Sequence, residues 1–384
     1  MKRQLRIDYD LEMLNRYKKI LAAAGALSDL FSDSEVPFLH YRIAENAFCY
    51  SFRAENISRD DCAIDAALNK YGIGIKTFIN HRGSSMQKIA EFDAARSLYD
   101  NMSLRNKILK ISEMRNMRIL SSNDIYGANR MIYHCIARSK GMLHIYETEM
   151  DLIDVMRISD IKERRGSITF ADGKNEYAFN PSKSTLFKRF MTPGGTFDIE
   201  VTRLKDPFEY LRRINTLVIP AEIKVRPSLV LPLYSGGGEN CFVPPKSGLN
   251  QWNAGGRARH EDEVYIRIPS EVRNALSDYF PPRDKEFVMK LPNGRMISGK
   301  VCQDGNKALM SNPNKDLGHW ILRDVLKVKS GELCSYNTLL NIGIDSVILF
   351  KNADGSYDLD FASVGNYERF RSEGFKYVKD EEVV

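Results

Sequence analysis

The chain has 384 residues, 43% of them hydrophobic and 28% charged, with a formal net charge of +6. That length exceeds what one ordinary core serves, so two domains are expected, and the composition is that of a globular chain rather than a disordered or fibrous one. No apolar run reaches the roughly 20 residues of a membrane span, the opening MKRQLRIDYDLEMLNRYKKIL is no secretory signal, and the six cysteines, at 49, 62, 135, 241, 302 and 334, form no CxxC pair, so a cytoplasmic protein with reduced thiols is expected.

Residues 1–218 alternate helix and strand patterns. DYDLEMLNRYKKILAAAGALSDLF repeats apolar residues every three or four positions and predicts a helix, as does FLHYRIAENAFCYSF, which carries Glu45. YGIGIKTFI is short and β-branched, a buried strand. SMQKIAEFDAARSLYDNMSLRNKILKISEMRNMRIL has helical periodicity, which places Glu91 on a helix. MIYHCIARSKGMLHIYETEMDLIDVMRI, SITFADGKNEYAFN and FDIEVTRL predict strands, and DPFEYLRRI a closing helix capped by Asp206.

Between Asp65 and Glu91 the residues carry a chemistry. Metal-assisted phosphodiester hydrolysis needs carboxylates for Mg²⁺ and a cation near the developing charge. Asp65 and Glu91 supply the first, Lys76 the second. On a strand Gly72, Gly74 and Lys76 share a face, and two glycines beside the lysine would leave an open strip for a phosphate. A rival placement is Asp172 with Glu200, but Thr202 stands where that pattern wants lysine. The basic stretch NPSKSTLFKRF offers Lys183, Lys188 and Arg189 to phosphates, or is a solvated loop and helix. No histidine has a lysine two positions on, which excludes the His-x-Lys phosphodiesterase pattern; His134 and His144 read as core.

The segments YRIAEN, SRDDCAIDA, GIGIKTF and QKIAEF together resemble the PD-(D/E)xK nuclease core of type II restriction endonucleases. The usual form is an Asp, then a strand carrying (Asp/Glu)-x-Lys; here the slot two before Lys76 is Gly74. The resemblance therefore implies an acid moved to the next element, Glu91, with Asp65 as the other metal ligand, Lys76 as the catalytic cation and Glu45 as a supporting carboxylate. It implies Mg²⁺ as cofactor.

Prolines and three consecutive glycines at 219–245 mark a linker. Beyond it, EVYIRIP, KEFVMKLPNGRMISGKV, KALMS and SVILFKNADGSYDLDF are short strands with hairpin turns, an all-β barrel over 246–362, followed by a charged tail at 363–384. Two basic segments interrupt it. The first holds Lys246, Asn250, Trp252, Asn253, Arg257, Arg259 and His260; the second holds Lys307, Ser311, Asn312, Asn314, Lys315, His319 and Trp320. Arginine and amides suit base edges, lysine and serine suit phosphates. The segments SNPNKDLGHWILRDVLKV and IDSVILFKNADGSYDLDF are similar to the B3-like DNA-recognition pseudobarrel fused to bacterial restriction endonucleases. The expected fold is thus an α/β domain, a PD-(D/E)xK-like mixed sheet with helices, followed by an all-β B3-like pseudobarrel that folds as its own unit. The implied function is Mg²⁺-dependent cleavage of a specific double-stranded DNA sequence, alongside a cognate DNA methyltransferase. One cutting site per chain requires a homodimer or two successive nicks. The alternative is a non-catalytic DNA-binding protein with a degenerate nuclease domain.

Overall fold

Asp10 caps the first helix, its carboxylate accepting from the N–H groups of Glu12 (2.8 Å) and Met13 (3.2 Å). In the computed structural model, which describes residues 5–57, 62–215, 226–238, 240–251 and 260–375, α1 (Leu11–Ala26) and α2 (Tyr41–Phe52) are followed by β1 (Glu55–Asn56), β2 (Ala66–Leu68), β3 (Tyr71–Ile79) and β4 (Ser84–Glu91). Then come α3 (Leu104–Tyr126), β5 (Arg130–Ser139), β6 (Met142–Glu149), β7 (Ser159–Arg164), β8 (Ser167–Ala171), β9 (Glu176–Asn180), β10 (Thr185–Met191), β11 (Phe197–Glu200) and α4 (Pro207–Asn215). Asp206 caps α4 by accepting from the Glu209 N–H at 3.0 Å.

Two sheets share these strands. One runs β1-β2-β3-β5-β6-β11, with β3 and β5 parallel; the other is β4-β10-β9-β8-β7, all antiparallel. Ile73, Ile75, Ile132 and Ile136 point to one face of the first sheet and meet Tyr17, Leu21 and Phe48 of α1 and α2. The alternate residues of β3 and β5, Lys76 and Tyr133 among them, point to the other face.

The third sheet follows in the rest of the chain: β12 (Ser228–Pro232), β13 (Ile266–Arg267), α5 (Ser270–Ala275), β14 (Glu286–Lys290), β15 (Met296–Cys302) and β16 (Ala308–Asn312). Next are α6 (Lys315–Gly318), running on through a π-helical stretch at His319–Val325, α7 (Tyr336–Ile342), β17 (Ile344–Lys351), β18 (Tyr357–Ser363) and α8 (Asn366–Ser372). The strand order is β12-β17-β18-β14-β15-β16-β13, and the end strands β12 and β13 meet, so the sheet nearly closes into a barrel.

Four expectations change. Residues 85–120 are not one helix: Met86, Ile89 and Ala90 mimic helical spacing, but their backbone pairs along β10, so Glu91 ends a strand. Pairing to a distant partner overrides a local pattern. Of the NPSKSTLFKRF segment, Asn180 ends β9, a turn carries the exposed Lys183, and the rest from Thr185 is strand β10 and not helix; Lys188 is buried with its ammonium on Asn175 Oδ1 (2.7 Å), and Arg189 pairs with Glu176 (2.6 Å). The strand β12 falls within the stretch expected to be linker, and every residue of it is buried. Tyr367 and Phe370 of α8 are buried in the barrel core, so the tail begins later than expected; residues 376–384 lie outside the described residues.

Nor is the barrel separate from the first domain. The helix α3 packs on the π-helical stretch and on α7. Lys327 pairs with Asp124 (2.7 Å), the Lys110 ammonium donates to Asn341 (3.0 Å) and the Tyr126 hydroxyl donates to Asp360 (3.2 Å). Ile119, Ile125 and Tyr126 of α3 belong to the same buried apolar cluster as Trp320, Phe361 and Leu349 of the barrel.

Ile125→Ala removes packing from that shared cluster and costs about 2–5 kcal/mol. Both tryptophans of the chain, Trp252 and Trp320, lie on the barrel side of the sequence. The midpoint of thermal unfolding followed by tryptophan fluorescence is therefore expected to fall together with that followed by far-UV circular dichroism, although the substitution is in the first domain. A tryptophan midpoint that stayed put would mean two independent units.

Candidate functional site

Asp65 stands just before β2, where its N–H donates to the Ile73 carbonyl at 2.8 Å and its own carbonyl accepts from Ile57 at 3.0 Å. This pins the backbone, and the side chain then turns along β3: Asp65 Oδ2 accepts from the Ile75 N–H at 2.6 Å. The next residue is Lys76, whose Nζ lies 3.5 Å from the same oxygen. Burial would lower the ammonium's pKa, but Asp65, with Tyr133 and Glu45, outweighs it and holds Lys76 above the usual lysine value. It is charged at neutral pH.

Glu45 reaches the same place from α2. Its side chain is 9% exposed and pairs with Arg42, at 3.3 Å. Burial, then the nearby Asp65 carboxylate, push its pKa up to about 7, against the opposing pull of Arg42 and Lys76. Glu91 comes from the end of β4, half exposed and paired with Lys88 at 2.7 Å. All four expected residues, Glu45, Asp65, Lys76 and Glu91, line one cleft of about 770 Å³, bounded also by Gln87 on β4 and by Arg115 and Arg118 on α3. Arg118 donates to the Glu91 carbonyl (2.5 Å) and lies 4.5 Å over the Phe92 ring.

The expected open strip beside Lys76 is closed. A Cβ at Gly74 would stand 2.9 Å from Met150 and 3.0 Å from Tyr133, and one at Gly72 would meet Met131 at 2.4 Å. The glycines admit neighbouring side chains, not a phosphate, and the slot that an acid usually fills two before the lysine is occupied by the Tyr133 ring. The cleft opens instead toward β4 and α3. The rival pair does not assemble: Asp172 accepts from Lys174 N (3.0 Å), Asn175 N (2.7 Å) and the Tyr177 hydroxyl (3.1 Å) in a turn of the second sheet, while Glu200 ends β11 of the first. His134 is buried between the Tyr17 hydroxyl (3.1 Å) and Glu147 (2.9 Å), the core position expected of it. His144 shares bonds with Ser139 (2.7 Å) and Asp198 (2.9 Å).

Do these side chains suit a hard divalent cation? Mg²⁺ asks for one or two carboxylates and keeps waters in its other positions. Asp65 is near enough to raise the pKa of the buried Glu45, and two neighbouring carboxylates are relieved by a cation between them. Both offer only oxygen, so the pair fits. Among the described residues no three His, Cys, Asp or Glu side chains converge on one point, and Glu91 stands at the rim, engaged by Lys88.

A second concave surface lies in the barrel. The long loop from β12 to β13 and the short loop from β15 to β16 border a cleft of about 460 Å³ lined by Lys246, Arg267, Arg273 and Lys307. No carboxylate stands among its described lining residues. It brings together one lysine from each expected basic segment and adds Arg267 and Arg273, which the sequence reading missed. Arg267 is the exposed partner of Ala308 on a two-residue strand, too short for its alternation to be visible.

The remaining expected contacts divide. Trp252, Asn253, Arg257 and Arg259 lie outside the described residues. The amide of Asn250 is spent on backbone, donating to Pro244 (3.1 Å) and Cys334 (3.0 Å) carbonyls and accepting from Cys334 N (2.7 Å). Trp320 is fully buried against Phe361, 4.8 Å between ring centres, and the buried Ser311 hydroxyl accepts from Leu317 N (2.9 Å). His319 bonds Asp262 (3.0 Å), whose carboxyl burial would raise but His319 and Arg323 hold below the usual range. His260 is exposed nearby. Asn312 donates to Glu286 (2.6 Å), Lys315 is exposed and Asn314 precedes α6. Beyond Lys307, then, the second basic segment closes the barrel and docks it on α3; none of its later residues lines the basic cleft.

The family model of the NgoFVII C-terminal B3-like DNA-binding domain, a restriction-enzyme family, matches residues 221–353. That stretch begins before β12 and ends between β17 and β18, so it contains the whole basic cleft. It is similar to the DNA-reading part of a restriction enzyme, and DNA is the partner this similarity supports. Among curated proteins nothing matches the chain.

Glu45 makes stability depend on pH in a defined sense. A carboxyl whose folded pKa is raised stabilises the fold fully below its unfolded value, and that contribution is lost as pH rises to about 7. In metal-free protein the loss by pH 8 is roughly 2–4 kcal/mol. Glu45→Gln is expected to be as stable as the wild type at pH 4 and clearly more stable at pH 8, measured by urea unfolding across that range. Parallel curves for the two proteins would show that Glu45 stays charged.

Proposed function

We propose that the protein is a type II restriction endonuclease, hydrolysing phosphodiester bonds at a specific double-stranded DNA sequence with Mg²⁺. The observation that carries this is the single cleft holding Asp65, Lys76, Glu45 and Glu91 in a chain whose residues 221–353 resemble a restriction enzyme's DNA-reading domain.

The residues divide the work as follows. Asp65 is held in place by the Ile75 N–H, so its free lone pairs keep one direction. With Glu45 it forms the oxygen donor set for the ion, and Glu91 is the further carboxylate at the rim. Bound there, Mg²⁺ would lower the pKa of a coordinated water and offset charge on the phosphate. Lys76 stays protonated beside Asp65, so it serves as a fixed positive charge and a donor to the attacking water or a phosphate oxygen, not as a base. Lys246, Arg267, Arg273 and Lys307 grip the DNA backbone, while base reading falls to the loop from β12 to β13, including Arg257 and Arg259. A second reading, a non-catalytic DNA-binding protein, draws on the Gly74 slot being filled by Tyr133. Incubating plasmid with and without Mg²⁺ separates the two.

Asp65→Ala and Lys76→Ala are each expected to lower single-turnover cleavage by at least about 10²-fold while leaving DNA affinity within a factor of a few. Near-normal cutting by either would move the active centre elsewhere. Lys246→Ala and Lys307→Ala are expected to weaken all sequences alike and to reduce the slope of log affinity against log salt by about one unit each. An unchanged slope would remove that lysine from the DNA contact.

A further inference from the structure

Arg115 is a buried charge with little to balance it among the described residues. It stands on α3 with 1% of its surface exposed and lines the cleft that holds Asp65 and Lys76. Among the described residues its guanidinium has one hydrogen bond, from Nη2 to the Tyr133 hydroxyl at 2.7 Å, and its buried Nε has no partner. Among the described residues no carboxylate pairs with it: Asp65 is engaged by Lys76, Glu91 by Lys88, and Glu45 has Arg42. The Thr77 hydroxyl, on the same cleft, is likewise buried without a partner.

A buried cation without a counter-ion costs several kcal/mol. Lysine escapes that cost by losing its proton more easily, as burial makes Lys188 do. Arginine cannot. The Asp65–Lys76 pair is electrically neutral, so Arg115 leaves the cleft floor with a net positive charge that no described residue cancels. With no anion among the described residues left to pair with it, the site suits an anion from outside. Guanidinium offers parallel N–H donors matched to two oxygens of one tetrahedral group, which is the geometry of a phosphate.

Resting on the reading of this cleft as the cutting site, we propose that Arg115 binds the substrate phosphate there, donating to its non-bridging oxygens and fixing it against Lys76. Tyr133 orients the guanidinium by taking one donor and leaving the others for the ligand.

The test is the melting temperature of the full, metal-free chain against inorganic phosphate, for the wild type, Arg115→Gln, Arg115→Lys and the double variant Lys246→Ala/Lys307→Ala. Phosphate is expected to stabilise the wild type and the lysine double variant alike. Arg115→Gln should need at least about tenfold more phosphate for the same shift, and Arg115→Lys should recover part of it. Without phosphate, Arg115→Gln should melt no lower than the wild type, because an uncompensated charge has been removed. An undiminished phosphate response in Arg115→Gln, or no response in the wild type, overturns the proposal. So does a lowered melting point shared by both Arg115 variants, the mark of a packing role. None of these readings needs cleavage: a chain that cuts no DNA yet loses its phosphate response with Arg115 would sink the nuclease reading and leave this site standing.

Discussion

The constraint on which the structure depends is the enclosure of α3. Between Ile108 and Tyr126 only Glu113 and Leu120 are exposed. A helix in that position has no broad polar face to give to water, so its sequence cannot show one apolar stripe. One end packs among the second-sheet residues Phe170, Phe179 and Leu186, the other among Trp320 and Leu349 of the barrel. Charged residues on such a helix must find an outlet. Arg115 and Arg118 find theirs where β3 and β4 part company to join different sheets, and that gap is the cleft. The enclosure of one helix thus joins the domains and also sets the charge of the candidate cutting site.

The polar centre beside it is built economically. A single N–H, that of Ile75, fixes Asp65, and Asp65 in turn holds the ammonium of the very next side chain. Strand geometry makes this work: residue 75 presents its backbone to the edge while residue 76 presents its side chain to the face. The Glu147 carboxylate does similar duty on the far face, accepting from Ile7 N (3.1 Å), from Arg6 N (2.5 Å) and from the Tyr9 hydroxyl, and so tying the start of the chain to β6.

Much of this was legible because it is local. The nine residues of β3 declare themselves by β-branching, and an acid shortly before such a strand is brought beside it by a tight antiparallel return through Asn69 and Lys70. Glu45 was legible as an acid inside a predicted helix, and its role only through the family resemblance. Glu91 arrived at the expected cleft on the wrong kind of element, since Met86, Ile89 and Ala90 match helix and strand equally well until a partner strand is known. Arg115 could not be found: nothing in ISEMRNMRIL distinguishes a solvated arginine from a buried one before α3 is placed. In the barrel, polar residues in loops were read as contacts, yet Asn250, Ser311 and His319 hold the loops to the frame. Residues that satisfy a turn's backbone and residues that meet a ligand are drawn from the same few types.

The core that continues from α3 into the barrel bears on how such a protein changes over generations. A recognition module on a flexible tether can be exchanged as a cassette, because a crossover in the tether disturbs no packing. Here a crossover anywhere between α4 and β13 would set a foreign barrel against Ile125, Tyr126 and Asp124, and the chimera would have to rebuild one hydrophobic cluster from two ancestries. New preferences are easier to gain by drift in the loop between β12 and β13 and in the one between β15 and β16, which border the basic cleft. Lineages of this chain should accordingly diversify at those two rims while Asp124, Lys327 and the residues around Trp320 change together or not at all.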